Sequence, residues 1–273
     1  MEVHKGTIYS IERDIFEKKL ITASSDGFIR IFVNKKEPDD KIDLHLEHEL
    51  DSMHGKLIKA IFLNHNEYLA SAHSSGHVVI WKLDTNNTYA VKHEEQVFTG
   101  CINDISSNFN NEIINIYCAC EDGKVRILNL KNDENIVVSE FTAHRFGIST
   151  IDSNNTFVVT GGLDYSTAVW ENNKEIIRFR DHTSLVRDVC ISPNNVFNIL
   201  CFASCGEDCK VFIYWRHFED FLKQEIILDE PVYSLSWSKS GFTLSIGYGQ
   251  NKFKCYEPGN EGKYVEVELV SDN

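Results

Sequence analysis

Three sets of histidine, hydroxyl and aspartate recur along this chain: His4, Thr22 and Asp26; His144, Thr160 and Asp164; His182, Ser204 and Asp208. A hydroxyl beside a histidine that a carboxylate orients is the constellation of a serine hydrolase, where the imidazole takes the hydroxyl proton during attack on a carbonyl. Two features argue against that chemistry here. An active site is written once, whereas this set is written three times, and no Gly-x-Ser-x-Gly elbow accompanies any copy. Satisfaction of buried polar groups accounts for all three: the histidine donates to the aspartate, the hydroxyl bonds the histidine, and a large aromatic six residues after the aspartate covers the network. That aromatic is Phe32, Trp170 and Tyr214 respectively. No catalytic residue is assigned, and the chain is not expected to be an enzyme.

Other chemistry-bearing residues are sparser. The eight cysteines include no Cys-x-x-Cys pair, and Cys201, Cys205 and Cys209 are spaced by four across a strand–turn–strand, which does not converge metal ligands. They read as small thiols buried in a reducing compartment. His73 and His77 straddle Ser74 and Ser75 and read as a polar turn. Gly247-Tyr-Gly249 lacks the third glycine and the following helix of a dinucleotide loop. Neither a metal nor a cofactor is expected.

The elements that position these residues come from a repeat. Six times the chain writes an apolar strand, a tight turn on an acidic or polar residue, and a second strand ending in a large side chain: 20–32, 69–81, 116–128, 158–170, 202–214 and 244–256. The turn residues Asp26, Ser75, Asp122, Asp164, Asp208 and Gln250 are 49, 47, 42, 44 and 42 residues apart. A period near 40–45 residues with about four strands per repeat is that of a WD-type β-propeller. The fold class expected is all-β, a six-bladed propeller, with residues 1–273 as one domain. Units 2 and 6 lack the aspartate, and unit 3 has Cys118 in place of the hydroxyl, so packing is expected to hold those blades. The stretch Asn34–His54 reads as outer strand and loop of blade 1, and Arg216–Gln224 as either a helical turn or an edge strand.

Composition narrows the function classes. Lys and Arg number 27 against 41 Asp and Glu, a net charge of −14, which repels phosphate backbones and disfavours unaided nucleic-acid binding. No apolar leader opens the sequence, and no apolar run reaches the roughly 18 residues of a membrane span. The Asn86-Asn-Thr88 and Asn154-Asn-Thr156 triplets are taken as loop residues. A cytosolic or nuclear chain is expected, with membrane contact only through a partner.

Many closed propellers take the last blade's outer strand from the N-terminus. Here about three residues precede His4, Thr7–Glu12 reads as the inner strand of blade 1, and Lys263–Val270 supplies the outer strand of blade 6. Every blade is then complete from consecutive strands, and none is left to latch first to last. An open ring would expose an apolar patch of ~600 Å² or more, at the limit for a soluble monomer. Covering it is worth up to ~15 kcal/mol gross, so a partner adding strands or a blade is expected.

The residues resemble a known family, the small WD-repeat subunit shared by the outer COPII vesicle coat and the Y-shaped scaffold of the nuclear pore. The most specific stretches are Asp181–Pro193, Phe157–Asp164, Ala143–Ile148, Val232–Gly241 and Asn260–Tyr264. The resemblance implies an open six-bladed propeller completed in trans by an insertion blade from a helical-solenoid subunit of coat or pore scaffold. It also implies a place at vesicles derived from the endoplasmic reticulum and at the nuclear pore. Carried onto this chain, the docking positions are Ile8, Tyr9 and Ile11 in blade 1, with Tyr233, Leu235, Phe253 and Tyr256 in blade 6. There are departures: the loop Asp152–Thr156 is shorter than in the family, and the residues after the repeat-ending aromatic are Val33, Lys82, Asn129 and Glu171 rather than Asp. A paralogue confined to the pore is the nearest rival, against which Val186–Val189 and Asn260–Tyr264 weigh. A general propeller adaptor, such as a ubiquitin-ligase substrate receptor, is the other.

Overall fold

The computed structural model describes residues 4–36, 42–110, 112–131, 135–193, 199–259 and 262–267. They form 24 strands in six four-stranded antiparallel sheets, each a propeller-type blade built from four consecutive strands. Blade 1 is β1 (Ile8–Arg13), β2 (Lys19–Ser24), β3 (Phe28–Lys36) and β4 (Ile42–Asp51). Blade 2 is β5 (Leu57–Leu63), β6 (Tyr68–His73), β7 (His77–Leu83) and β8 (Tyr89–Gln96). Blade 3 is β9 (Ile102–Asn110), β10 (Ile113–Cys120), β11 (Lys124–Lys131) and β12 (Asn135–Thr142). Blade 4 is β13 (Ile148–Ser153), β14 (Phe157–Gly162), β15 (Thr167–Glu171) and β16 (Lys174–Phe179). Blade 5 is β17 (Val186–Ile191), β18 (Cys201–Gly206), β19 (Lys210–His217) and β20 (Asp220–Ile227). Blade 6 is β21 (Val232–Trp237), β22 (Leu244–Tyr248), β23 (Lys252–Pro258) and β24 (Tyr264–Val267).

The chain divides into two compact units, residues 1–141 and 142–273. In the first, Ile21, Ile29, Ile31, Leu57, Leu69, Val79 and Trp81 join blades 1 and 2. Ile80, Ile102, Ile105, Ile116 and Leu128 join blades 2 and 3. In the second, Val159, Val169, Val186, Phe202 and Tyr214 join blades 4 and 5, and Ile213, Val232, Leu235, Leu244, Ile246 and Tyr256 join blades 5 and 6. The second strand of blades 1 to 5 is buried on both faces along most of its length, as the continuous runs Ile21-Thr-Ala-Ser24 and Cys201–Gly206 require, whereas β22 alternates buried residues with half-buried Ser245 and Gly247. Arg216–Gln224 resolves as the β19–β20 hairpin. The outer strand of blade 1 begins at Ile42 in the described residues; Pro38, Asn260, Glu261 and residues 268–270 lie outside them.

In all six repeats the residue after the turn position has positive φ: Gly27, Gly76, Gly123, Tyr165, Cys209 and Asn251. Where the turn residue is aspartate, its Oδ1 accepts from the backbone N–H two residues on, of Phe28, Lys124, Ser166 or Lys210, at 3.1–3.3 Å. That Asx turn holds the left-handed residue even at Tyr165 and Cys209, where a side chain costs roughly 1 kcal/mol.

Candidate functional site: blade networks and the first inner strand

Blade 4 carries the fullest polar network. His144 Nδ1 donates to Asp164 Oδ1 at 2.8 Å, Thr160 Oγ1 donates to His144 Nε2 at 2.8 Å, and Trp170 Nε1 donates to Thr160 Oγ1 at 2.9 Å. The loop before β13 is thereby tied to β14, the turn and β15. Burial pushes the Asp164 carboxyl upward, but the bonds from His144 and Ser166 outweigh it and hold the group well below the usual carboxylate range. Blade 5 repeats the arrangement: His182 Nδ1 lies 3.0 Å from Asp208 Oδ2, and Ser204 Oγ donates to His182 Nε2 at 2.8 Å. Here the aromatic differs, since Tyr214 donates its hydroxyl to Asp181 at 3.1 Å. In blade 1, His4 Nδ1 is 3.0 Å from Asp26 Oδ2 and 2.8 Å separates His4 Nε2 from Thr22 Oγ1, and Phe32 is buried at 3% exposure.

This geometry cannot attack a substrate. Thr22, Thr160 and Ser204 are buried, and in blade 4 the indole N–H already occupies the hydroxyl that would be the nucleophile. The arrangement performs positioning, fixing a loop to a turn three times over.

Arginines complete the networks beyond the histidine, hydroxyl and aspartate sets. Arg30 donates to Asp26 at 3.0 Å, and Arg126 makes a two-pronged pair with Asp122 at 3.0 and 2.8 Å. Arg178, from β16, donates to Ser166 Oγ at 2.8 Å and to the Ala143 carbonyl at 2.7 Å. The signal was present in the spacing, because Asp26-Gly-Phe-Ile-Arg30 and Asp122-Gly-Lys-Val-Arg126 place the cation at i+4, where the antiparallel turn returns it to the carboxylate. Blade 3, expected to be held more by packing than by the network, therefore also has an ion pair.

Neighbouring blades are also stitched by main-chain bonds. In the first unit Ala60 N donates to Ser10 Oγ and Phe62 N to Glu12 Oε1, both at 3.3 Å. In the second, Val189 N donates to Thr150 Oγ1 (3.2 Å), Ile191 N to Asp152 Oδ2 (2.7 Å) and Leu235 N to Asp188 Oδ2 (2.8 Å). A polar side chain on one inner strand thus receives the backbone of the next. A register shift near the start of β1, β5, β13, β17 and β21 places these positions alike.

By that register Ile8 corresponds to Leu57, Ile102, Ile148, Val186 and Val232, all 0% exposed, yet Ile8 is 38% exposed. Ile11 corresponds to Ala60, Ile105, Ile151, Val189 and Leu235, all at most 6% exposed, yet Ile11 is 62% exposed. Tyr9 beside them is also exposed. In blade 6, Ser234 and Ser236 are exposed at the positions of Asp188 and Cys190, and Tyr233 and Phe253 are exposed as well.

Two of the expected docking residues are corrected. Leu235 and Tyr256 are 6% and 7% exposed and belong to the core between blades 5 and 6. The shift between Val232 and Ser234 breaks the simple alternation, so Tyr233 and Leu235 face apart. Tyr256 is the repeat-ending aromatic, the position buried in Phe32, Trp81, Trp170 and Tyr214.

Comparison with known proteins agrees with this architecture. The WD domain, G-beta repeat family is matched at residues 135–171 and 173–214. The protein transport protein sec13 of Aspergillus oryzae is 26% identical over 296 residues, covering 95% of this chain and 98% of that protein. The SEC13 homolog of Dictyostelium discoideum is 27% identical, covering 99% and 97%, and that of Drosophila melanogaster 22%, covering 98% and 82%. The chain is an all-β protein of six four-stranded blades that matches the WD repeat over residues 135–171 and 173–214, and its resemblance, over nearly its whole length, is to the Sec13 proteins.

Proposed function

We propose that this chain is a non-catalytic scaffold subunit of the COPII outer coat and of the nuclear pore scaffold, which stiffens a helical-solenoid partner by accepting strands from it. The transport half of the reading is supported by the name that the fungal relatives carry, protein transport protein. The docking half rests on one observation: Ile8 and Ile11 stand exposed where every counterpart is buried. Fully burying an isoleucine is worth roughly 1.5–3 kcal/mol, and Tyr9 adds to the same surface.

The partner's chemistry follows from the stitching. Ile11 N and Arg13 N hold the register of Ala60 N and Phe62 N, which donate to a serine and a glutamate. A strand laid on blade 1 would carry hydroxyl or carboxylate side chains at alternate positions to receive them, with apolar residues between. On such a strand the affinity comes from apolar burial and the register from the polar pair.

The test is co-expression with the solenoid subunits of coat and pore scaffold, followed by size-exclusion chromatography with light scattering. A one-to-one complex that is lost on deleting the partner's strand segment supports the proposal. A monodisperse monomer that ignores both partners refutes it.

A further inference from the structure

Blade 2 lacks both the loop histidine and the turn aspartate of blades 1, 4 and 5, and three other histidines occupy that ground. His73, fully buried, takes the bond of the missing loop histidine: Ser71 Oγ donates to its Nε2 at 3.2 Å, and Trp81 Nε1 donates to Ser71 Oγ at 3.4 Å, as Trp170 does to Thr160. With Ser75 where the aspartate would be, His73 Nδ1 is buried with no hydrogen-bond partner. Beside it lie His54, from the loop before β5, and His77, which opens β7. Their rings stack at 4.2 Å and 14°, and the His54 ring meets the His73 ring edge-on at 5.4 Å. Glu94, near the end of β8, places Oε1 2.9 Å from His54 Nε2.

We propose that His54, His77 and Glu94 form a zinc site that ties the loop and strand ends of blade 2, as the Asp–His pairs tie those of blades 1, 4 and 5. One ligand atom from each residue lies within 4.8 Å of the others. A tetrahedral ion with bonds of about 2.0–2.2 Å needs ligand atoms roughly 3.4 Å apart, a contraction that two half-buried rings and an exposed carboxylate make by side-chain rotation. His77 Nδ1 lies 3.0 Å from Ser75 Oγ; donating there fixes the tautomer that leaves Nε2 for the metal, as the outer partner of a zinc-bound histidine does. Two imidazoles with one carboxylate suit zinc rather than calcium or magnesium, which take oxygen ligands. Three protein ligands leave a fourth position for water.

The experiment uses the full chain stripped with chelator, titrated with zinc chloride by competition against a fluorescent zinc indicator, with a thermal melt at each endpoint. Saturable binding of one zinc per chain and a raised melting temperature are expected. His54→Gln and His77→Gln should each weaken binding at least about tenfold and remove the thermal shift. Exposed Glu94→Gln tests the carboxylate without threatening the fold and should weaken binding too. His65→Gln, on the β5–β6 turn, should change neither, and magnesium chloride should give no shift. Absence of saturable binding, or binding that survives in the His54→Gln/His77→Gln double variant, overturns the proposal.

Discussion

Replacing Asp164 with alanine tests the positioning network directly. The carboxylate accepts from His144 Nδ1 at 2.8 Å, Ser166 Oγ at 2.6 Å and Ser166 N at 3.2 Å. His144 and Ser166 are 2% and 0% exposed; with the carboxylate gone His144 Nδ1 keeps Ser166 Oγ at 3.2 Å, and the Ser166 hydroxyl and backbone N–H lose their acceptor. Each stranded buried donor costs about 1–3 kcal/mol, so the two place the variant roughly 2–6 kcal/mol below wild type. For a domain of this size class each kcal/mol moves the melting point about 2–4 °C, so even the lower figure lowers it by roughly 4–8 °C. The assay is thermal unfolding by near-ultraviolet circular dichroism, which also reports Trp170 above the network. Asp229→Ala is the control, because Asp229 pairs with Lys252 at the surface and should leave the melting point unchanged. An Asp164→Ala melt that coincides with the control would refute the reasoning, and the Asp–His sets would then be ornament rather than ties.

Gly162→Ala should cost about 1–3 kcal/mol in urea unfolding, since a Cβ there would overlap His144 Nδ1 and Asp164 Oδ1; a neutral substitution would mean that the network yields without strain. Burial depresses the His182 pKa below its ordinary value against the pull of Asp208. The native ring therefore stays neutral while the unfolded ring takes up a proton, and stability falls as pH drops from about 6.5 toward the folded pKa. His182→Gln should flatten that part of the stability–pH curve, and an unchanged slope would contradict the assignment. Cys118, Cys120, Cys201 and Cys205 are buried, and burial raises their thiols, to about 11 for Cys120 and about 12 for Cys201. Iodoacetamide at neutral pH should spare these four in the native chain and alkylate them in urea, with peptide mass spectrometry as the readout.

Much of this was legible in the residues. The turn aspartates and their histidines sit at repeating offsets because each repeat must satisfy the same buried groups, so His144, Thr160, Asp164 and Trp170 could be grouped before any coordinates. The arginines were harder: Arg30 and Arg126 share an i+4 offset, whereas Arg178 arrives from the next strand, where spacing to Asp164 carries no rule. The inner-strand faces were hardest. Alternation alone puts Tyr233 and Leu235 on one side, and the irregularity between Val232 and Ser234 that separates them leaves no mark in composition. The histidine cluster of blade 2 joins a loop, a third strand and a fourth strand, and reads in sequence as a polar turn.

The most direct test of the docking account is the affinity of the proposed solenoid partner for wild type and for the Ile8→Asp/Ile11→Asp variant. Both side chains are exposed, so the variant should fold and melt as wild type does. Losing the burial of two isoleucines and placing two carboxylates against a partner's apolar strand should weaken binding by at least about 3 kcal/mol, more than a hundredfold. Equal affinity for the two proteins would show that the partner docks elsewhere and that the exposed face of β1 is not its site.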